Sequence, residues 1–148
     1  MKPTVYRASV EDAIKLAPHL RAEDVEEVRA ASGLSPLEAL TNGVNHSDCY
    51  AYGDEDGPIT MFGLCSNGSI WLLAADRLLD HKLQFLRESR RWFKQWHETH
   101  EVLWNFVDTR NTTHVEFLKW MGCEFPGYFV TKENVVFDYF QHTCVPHN

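Results

Sequence analysis

Within the tetrapeptide HETH, His97 and His100 stand three residues apart, which would set both imidazoles on one side of a helix. Such a pair could begin a divalent-metal site, but the HExxH spacing is absent and no third ligand stands nearby, so no metal site is expected. His81 and His114 are isolated in the sequence and read as structural or exposed. Asp76 closes a predicted strand and is the carboxylate best placed to act as a general base. Cys65 and Cys123 lack a neighbouring His or cation that would activate a thiolate. Arg87, Arg91 and Lys94 recur at i, i+4, i+7 and read as a solvated helix face that pairs with acidic neighbours. Asn111 reads as a helix cap.

The elements that must hold these residues follow from local signals. Residues 4–8 read as a first strand. Ser9 with Asp12 three residues on is a variant capping box for a helix to about Leu16, ended by Pro18. Ala22–Ala31, acidic in its first turn, reads as a second helix closed by Gly33. Ser35-Pro36 opens a further turn that runs to Asn42-Gly43. Cys49–Tyr52, Pro58–Cys65 and Ser69–Ala75 read as an antiparallel meander with turns GDEDG and SNG. A long helix is expected over Asp80–Glu98. Then comes a buried strand over 102–107 and a helix in which Val115, Leu118 and Met121 share a face, stopped by Gly122. Gly127–Thr131 and Asn134–Gln141 form a closing hairpin, and the tail from about 142 to 148 is expected to be loose.

At 148 residues, 44% of them hydrophobic, the chain fits one α+β domain over 1–148. A net charge of −7 argues against sequence-independent nucleic-acid binding, which needs a basic footprint. Four cysteines without a CxxC pair, and a first fifteen residues without an apolar run, predict reduced thiols and a cytoplasmic setting. The longest apolar run, Ile70–Ala75, is far too short to span a bilayer.

The strand, Asn turn, helix and Gly stop over Glu101–Phe125, together with the order of elements, resemble the GNAT family of acetyl-coenzyme A-dependent N-acetyltransferases over nearly the whole chain. The resemblance implies a mostly antiparallel, twisted sheet flanked by helices, whose fourth strand bends away from the fifth. The gap between them would admit pantetheine, and the pyrophosphate would sit on the following helix N-terminus. Carried onto this chain, the cofactor would meet Leu73, Ala74 and Ala75, then Arg77, His81 and Lys82, with Asn111 nearby. Two departures stand out. The family's (Q/R)xxGx(G/A) phosphate loop is replaced by ADRLLDHKLQF, with no glycine between Ser69 and Met121 to wrap a pyrophosphate. Leu118 stands where the family's thiolate-protonating Tyr would be, which leaves Tyr128 or Tyr139 as the candidate acid. Aromatic filling of the gap would itself block a cofactor.

The phrases SIWLLAADRL, FLRESRRWF (85–93) and LWNFVDTRNTTHVEFLKWMGCEF (103–125) are similar to those of small GNAT-like proteins encoded beside the internal-core genes of T7-like podoviruses, the internal virion protein A family. This implies a bacteriophage protein in the host cytoplasm, or associated with the virion, that binds a phage or host protein during assembly or host takeover. Its coenzyme A site would be degenerate and without bound acetyl-CoA. The alternative is an active acetyl-CoA-dependent N-acetyltransferase of an amine substrate, with Asp76 as base and Tyr128 as acid.

Overall fold

A computed structural model describes residues 2–144. Strand β1 (Thr4–Arg7) leads into α1 (Val10–Leu16) and a short 3-10 turn (Ala17–His19). Two helices follow, α2 (Ala22–Ser32) and α3 (Pro36–His46), and then the meander β2 (Asp48–Asp54), β3 (Gly57–Leu64) and β4 (Ile70–Ala74). A 3-10 turn (Asp76–His81) enters α4 (Lys82–Trp96), and the chain closes with β5 (Val102–Asp108), α5 (Thr112–Trp120), β6 (Glu124–Val130) and β7 (Val136–Thr143). Capping boxes at Ser9/Asp12 and Ser35/Glu38 start α1 and α3, so four otherwise orphaned amide groups find partners. Gly33 and Gly122 adopt positive φ just past α2 and α5, a conformation other residues adopt only under strain.

Four strands pair antiparallel in the order β1-β2-β3-β4, and three in the order β5-β7-β6. The two sheets meet along β4 and β5, which run parallel and touch at one end through a single Ser69–Trp104 bridge. There the Trp104 N–H donates to Gly68 O at 3.2 Å and Asn105 Nδ2 donates to Ile70 O at 2.7 Å. Beyond Ile70 the strands part, as expected for this architecture. One face of the sheets packs Phe62, Phe93, Trp96, Leu103 and Leu118 under α4 and α5, and the other packs Leu16, Leu40, Met61 and Leu73 under α1 and α3. Each such buried aliphatic or aromatic side chain contributes about 1.5–3 kcal/mol by leaving water.

Several expectations need correction. The turn expected to end at Asn42-Gly43 is a full helix through His46. Gly43 does not break it but admits Trp71, since a Cβ there would lie 2.2 Å from the indole Cζ2. Gly63 admits the same ring at its Nε1 edge, where a Cβ would lie 2.6 Å from Nε1, and Ser47 accepts from that nitrogen at 2.9 Å. The segment before α4 is 3-10 through His81, and β6 starts at Glu124 instead of Gly127. The tail expected to loosen at 142 instead extends β7 to Thr143. His142 there contacts His97 at the end of α4 (Nδ1 to Nε2, 2.8 Å) and the Met121 carbonyl (Nε2, 3.0 Å). Residues 145–148 lie outside the described part.

Gly43→Ala should test the Trp71 seat. In an open helix this change stabilises by about 0.5–1 kcal/mol, whereas here overpacking should destabilise by about 1–3 kcal/mol. Equilibrium urea unfolding with an unchanged m-value reads the sign.

Candidate functional site

Helix α2 carries its polar residues into the gap where β4 and β5 part. Arg21, just before the helix, donates its backbone N–H to Ala74 O at 2.8 Å, and Leu20 bridges Ala75. Asp24, buried, accepts the Ala74 N–H at 2.9 Å, Arg21 Nη1 at 2.9 Å and Asn111 Nδ2 at 2.8 Å. Glu27, one turn on, accepts the Asp108 N–H at the end of β5 at 2.9 Å. Its other oxygen stands 3.5 Å from His114 Nδ1 on α5, a buried atom that makes no hydrogen bond. One helix thus reaches the diverging ends of both strands through two carboxylates three residues apart.

Burial pushes the Asp24 carboxyl up, against the downward pull of His114, Asn111, the Ala74 amide and Arg21. For His114, burial pushes downward, yet the adjoining Glu27 carboxylate and Asp24 outweigh it and the imidazole titrates above its ordinary range. Burial pushes the Cys49 and Cys123 thiols up to about 12, so neither supplies a thiolate near neutral pH.

A cavity of about 390 Å³ occupies the gap and extends to both faces. Trp71, Leu72 and Leu73 of β4 and Asn105 and Phe106 of β5 form its waist. Phe85, Trp92, Trp96 and Phe117 line it on one side, and Val28, Ala31, Asn42 and His46 on the other. Glu27 and His114 are its buried ionisable pair. The aromatics therefore wall the gap without filling it. Along β4 the register turns the amides of Ile70, Leu72 and Ala74 away from β3. Ile70 O is taken by Asn105, and both Ala74 groups by α2 and the residue before it. On β4 the outward N–H and C=O of Leu72 have no such partner among the described residues.

The residues expected from sequence scatter around this site. Leu73 lines the cavity, while Ala74 and Ala75 lie beyond it. Asp76, the expected base, is exposed and faces a shallow groove with Lys15, Pro18 and His19. Arg77 is not available to a phosphate: it forks onto Asp54 (3.0–3.2 Å) and donates to Gly57 O at 3.0 Å. His81 and Lys82 sit at the start of α4, Lys82 exposed, and outside the cavity lining. Asn111 holds the N-cap position without capping through its side chain, which is turned inward to Asp24 and Arg21. Tyr128 is 72% exposed on β6, and Tyr139 donates to Gln141 instead of facing the cavity. Glu27 and His114 escaped the sequence reading because 87 residues separate them. The acidic first turn of α2 had a sufficient explanation in the helix dipole. Among the described residues no group of three or more His, Cys, Asp or Glu is placed to hold a metal ion.

Two sheets parting at β4/β5 under helices on both faces define the GNAT acyltransferase fold. An acetyltransferase of the GNAT family from Streptococcus pneumoniae superposes with a TM-score of 0.66 at 14% identity, over 96% of this chain and 99% of that one. An aminoglycoside acetyltransferase solved with coenzyme A gives 0.65 at 15% identity, over 96% and 95%. Residues 45–131 match the family described as bacteriophage T7, probable scaffold protein Gp13, and the chain belongs to that family. The probable scaffold protein gp13 of Escherichia phage T7 is itself 26% identical over 98 residues, which span 60% of this chain and 70% of the phage T7 protein.

Asp24→Ala should cost about 3–5 kcal/mol in denaturant unfolding, because it strands a buried guanidinium. For His114 the sign is fixed by its upward shift. Its stabilisation is full below the unfolded pKa of about 6.5 and is lost as pH rises through the folded value. The stability gap between the natural protein and His114→Gln should therefore narrow from pH 6 upward. A gap that widens with pH would contradict the Glu27–His114 pairing.

Proposed function

We propose that this protein serves phage virion assembly by binding another protein, on a GNAT scaffold whose coenzyme A groove no longer holds the cofactor. The observation that carries this reading is the occupied end of β4. The Ala74 N–H and C=O, which face the gap, are bonded to Asp24 and Arg21, so a pantetheine chain laid along the strand finds only Leu72 to grip. The glycine-free turn after β4 and the capture of Arg77 by Asp54 point the same way for the pyrophosphate. Membership in a family described by a scaffold protein favours a protein partner, from phage or host. On this reading the protein works in the host cytoplasm or with the virion, in the manner of an internal virion protein.

A second reading has one observation in its favour, the cavity with Glu27 and His114 in its lining. In a working N-acetyltransferase, Glu27 with His114 would accept the amine proton, a role for which Asp76 is misplaced. No side chain at the Leu118 position could return a proton to the thiolate.

Isothermal titration with acetyl-CoA separates the two. The assembly reading expects no heat above dilution; micromolar affinity, lost in Leu79→Glu at the phosphate turn, would overturn it. Acetylation of an amine that vanishes in Glu27→Gln would then establish the enzyme.

A further inference from the structure

Charge is segregated along this acidic chain. Residues 77–94 carry six basic and two acidic side chains, while the remainder carries eight basic and nineteen acidic ones. Segregation continues at the level of pairing. Arg7, Arg21, Arg29, Arg77 and Arg110 each hold a carboxylate of the same chain, at Asp48, Asp24, Glu26, Asp54 and Asp108. The three arginines of α4 do not follow this pattern. Arg87 and Arg90 have no carboxylate partner among the described residues, and Arg91, 79% exposed, reaches Glu88 only at 3.5 Å. The expected pairing with acidic neighbours holds for Arg91 and Glu88 alone and leaves Arg87, Arg90 and Lys94 without a carboxylate partner among the described residues.

These cations share their surface with apolar groups. At 100° per residue Leu83, Arg87, Arg90, Arg91 and Lys94 fall within one arc of α4, opposite the buried Phe85, Ser89 and Trp96. Leu83 is 70% exposed, and Leu79 in the preceding turn is exposed too. Arg90 lies 3.9 Å over the ring of Trp120, itself 45% exposed at the end of α5. The result is a strip about 16 Å long, leucine at one end and four cations over the rest. Exposed leucines and tryptophan gain nothing from a phosphate backbone. The acidic remainder of the surface would repel a long polyanion that extended past the strip. A short acidic segment meets neither objection.

We propose that the outer face of α4 docks an acidic, amphipathic segment of a partner protein, about three helical turns long, its apolar side chains on Leu79 and Leu83 and its carboxylates on Arg87, Arg90, Arg91 and Lys94. This deepens the assembly reading, on which it rests, by naming the surface and the chemistry of the partner. The face lies on the side of α4 away from the cavity, so occupancy of the gap does not obstruct it.

The test uses the whole protein and a fluorescein-labelled helical peptide of about three to four turns, with leucine and glutamate at i, i+4 and i+7. Anisotropy should saturate at low ionic strength and weaken steadily as salt is added. The double change Arg87→Glu, Lys94→Glu should weaken it at least about tenfold. Lys132→Glu, at the distant β6–β7 turn, should leave it unaltered. Neither Arg87 nor Lys94 has a carboxylate partner to lose among the described residues, so thermal unfolding should move only by the small helix-dipole effect of reversing a charge in the last turn. Absence of saturation, equal weakening by Lys132→Glu, or tighter binding of duplex DNA at the same salt would overturn the proposal. So would salt-sensitive self-association through this face that the peptide fails to compete away. Acetyl-CoA titrated into the same samples keeps the two readings apart. Cofactor binding with peptide binding intact overturns the functional reading alone, and a silent peptide with no cofactor heat overturns the docking proposal alone.

Discussion

The contact on which the arrangement depends is the buried convergence of Arg21, Asp24 and Asn111. Three segments meet there: the start of α2, the end of β4 and the turn leaving β5, the last two belonging to different sheets. Each polar group inside is matched, and the unmatched alternative of a lone guanidinium or carboxylate away from water is costly. Its contribution to net stability is therefore small beside its contribution to geometry. Apolar packing would let α2 slide along the sheet, whereas this cluster admits one position, with Asp24 on Ala74 and Glu27 on Asp108.

That single position divides the gap. Near the strand ends it is polar and closed by hydrogen bonds; toward the bridge between Ser69 and Trp104 it is apolar and hollow. The hollow persists because the large rings that line it lean on one another and on backbone instead of on the opposing strand. Trp71 illustrates this, its indole bedded on Gly43 and Gly63 and tethered to Ser47. The shape of an acyltransferase fold thus coexists with a strand edge whose outward groups at Ala74 are bonded within the chain.

The local rules were largely legible. Ser9 with Asp12, Ser35 with Glu38, Gly33 and Gly122 fix their helix ends through interactions within a few residues, so the sequence displays both partners at once. The exceptions are residues that serve a distant neighbour. Asn42-Gly43 resembles a turn until Trp71 is brought against it, and Asn111 resembles a cap until Asp24 arrives. The resemblance gives Arg77 to a pyrophosphate, yet Asp54 at the end of β2 holds it. The site pair Glu27 and His114 left no local trace at all. What these residues share is a partner supplied by topology, which no window of the sequence contains.

The junction of His97 and His142 has a consequence for charge. His97 Nδ1 faces the His100 carbonyl at 2.9 Å and His142 Nε2 faces the Met121 carbonyl, so each of these nitrogens must carry a hydrogen. The two nitrogens left, 2.8 Å apart, would then confront each other as bare lone pairs were both rings neutral. One additional proton between them turns repulsion into a hydrogen bond, and a second would restore repulsion. Burial and the neighbouring His97 both hold His142 below its ordinary range. One proton shared between the two rings would join the end of α4 to the last strand, and it would add a positive charge that the formal count of −7, with its neutral histidines, leaves out.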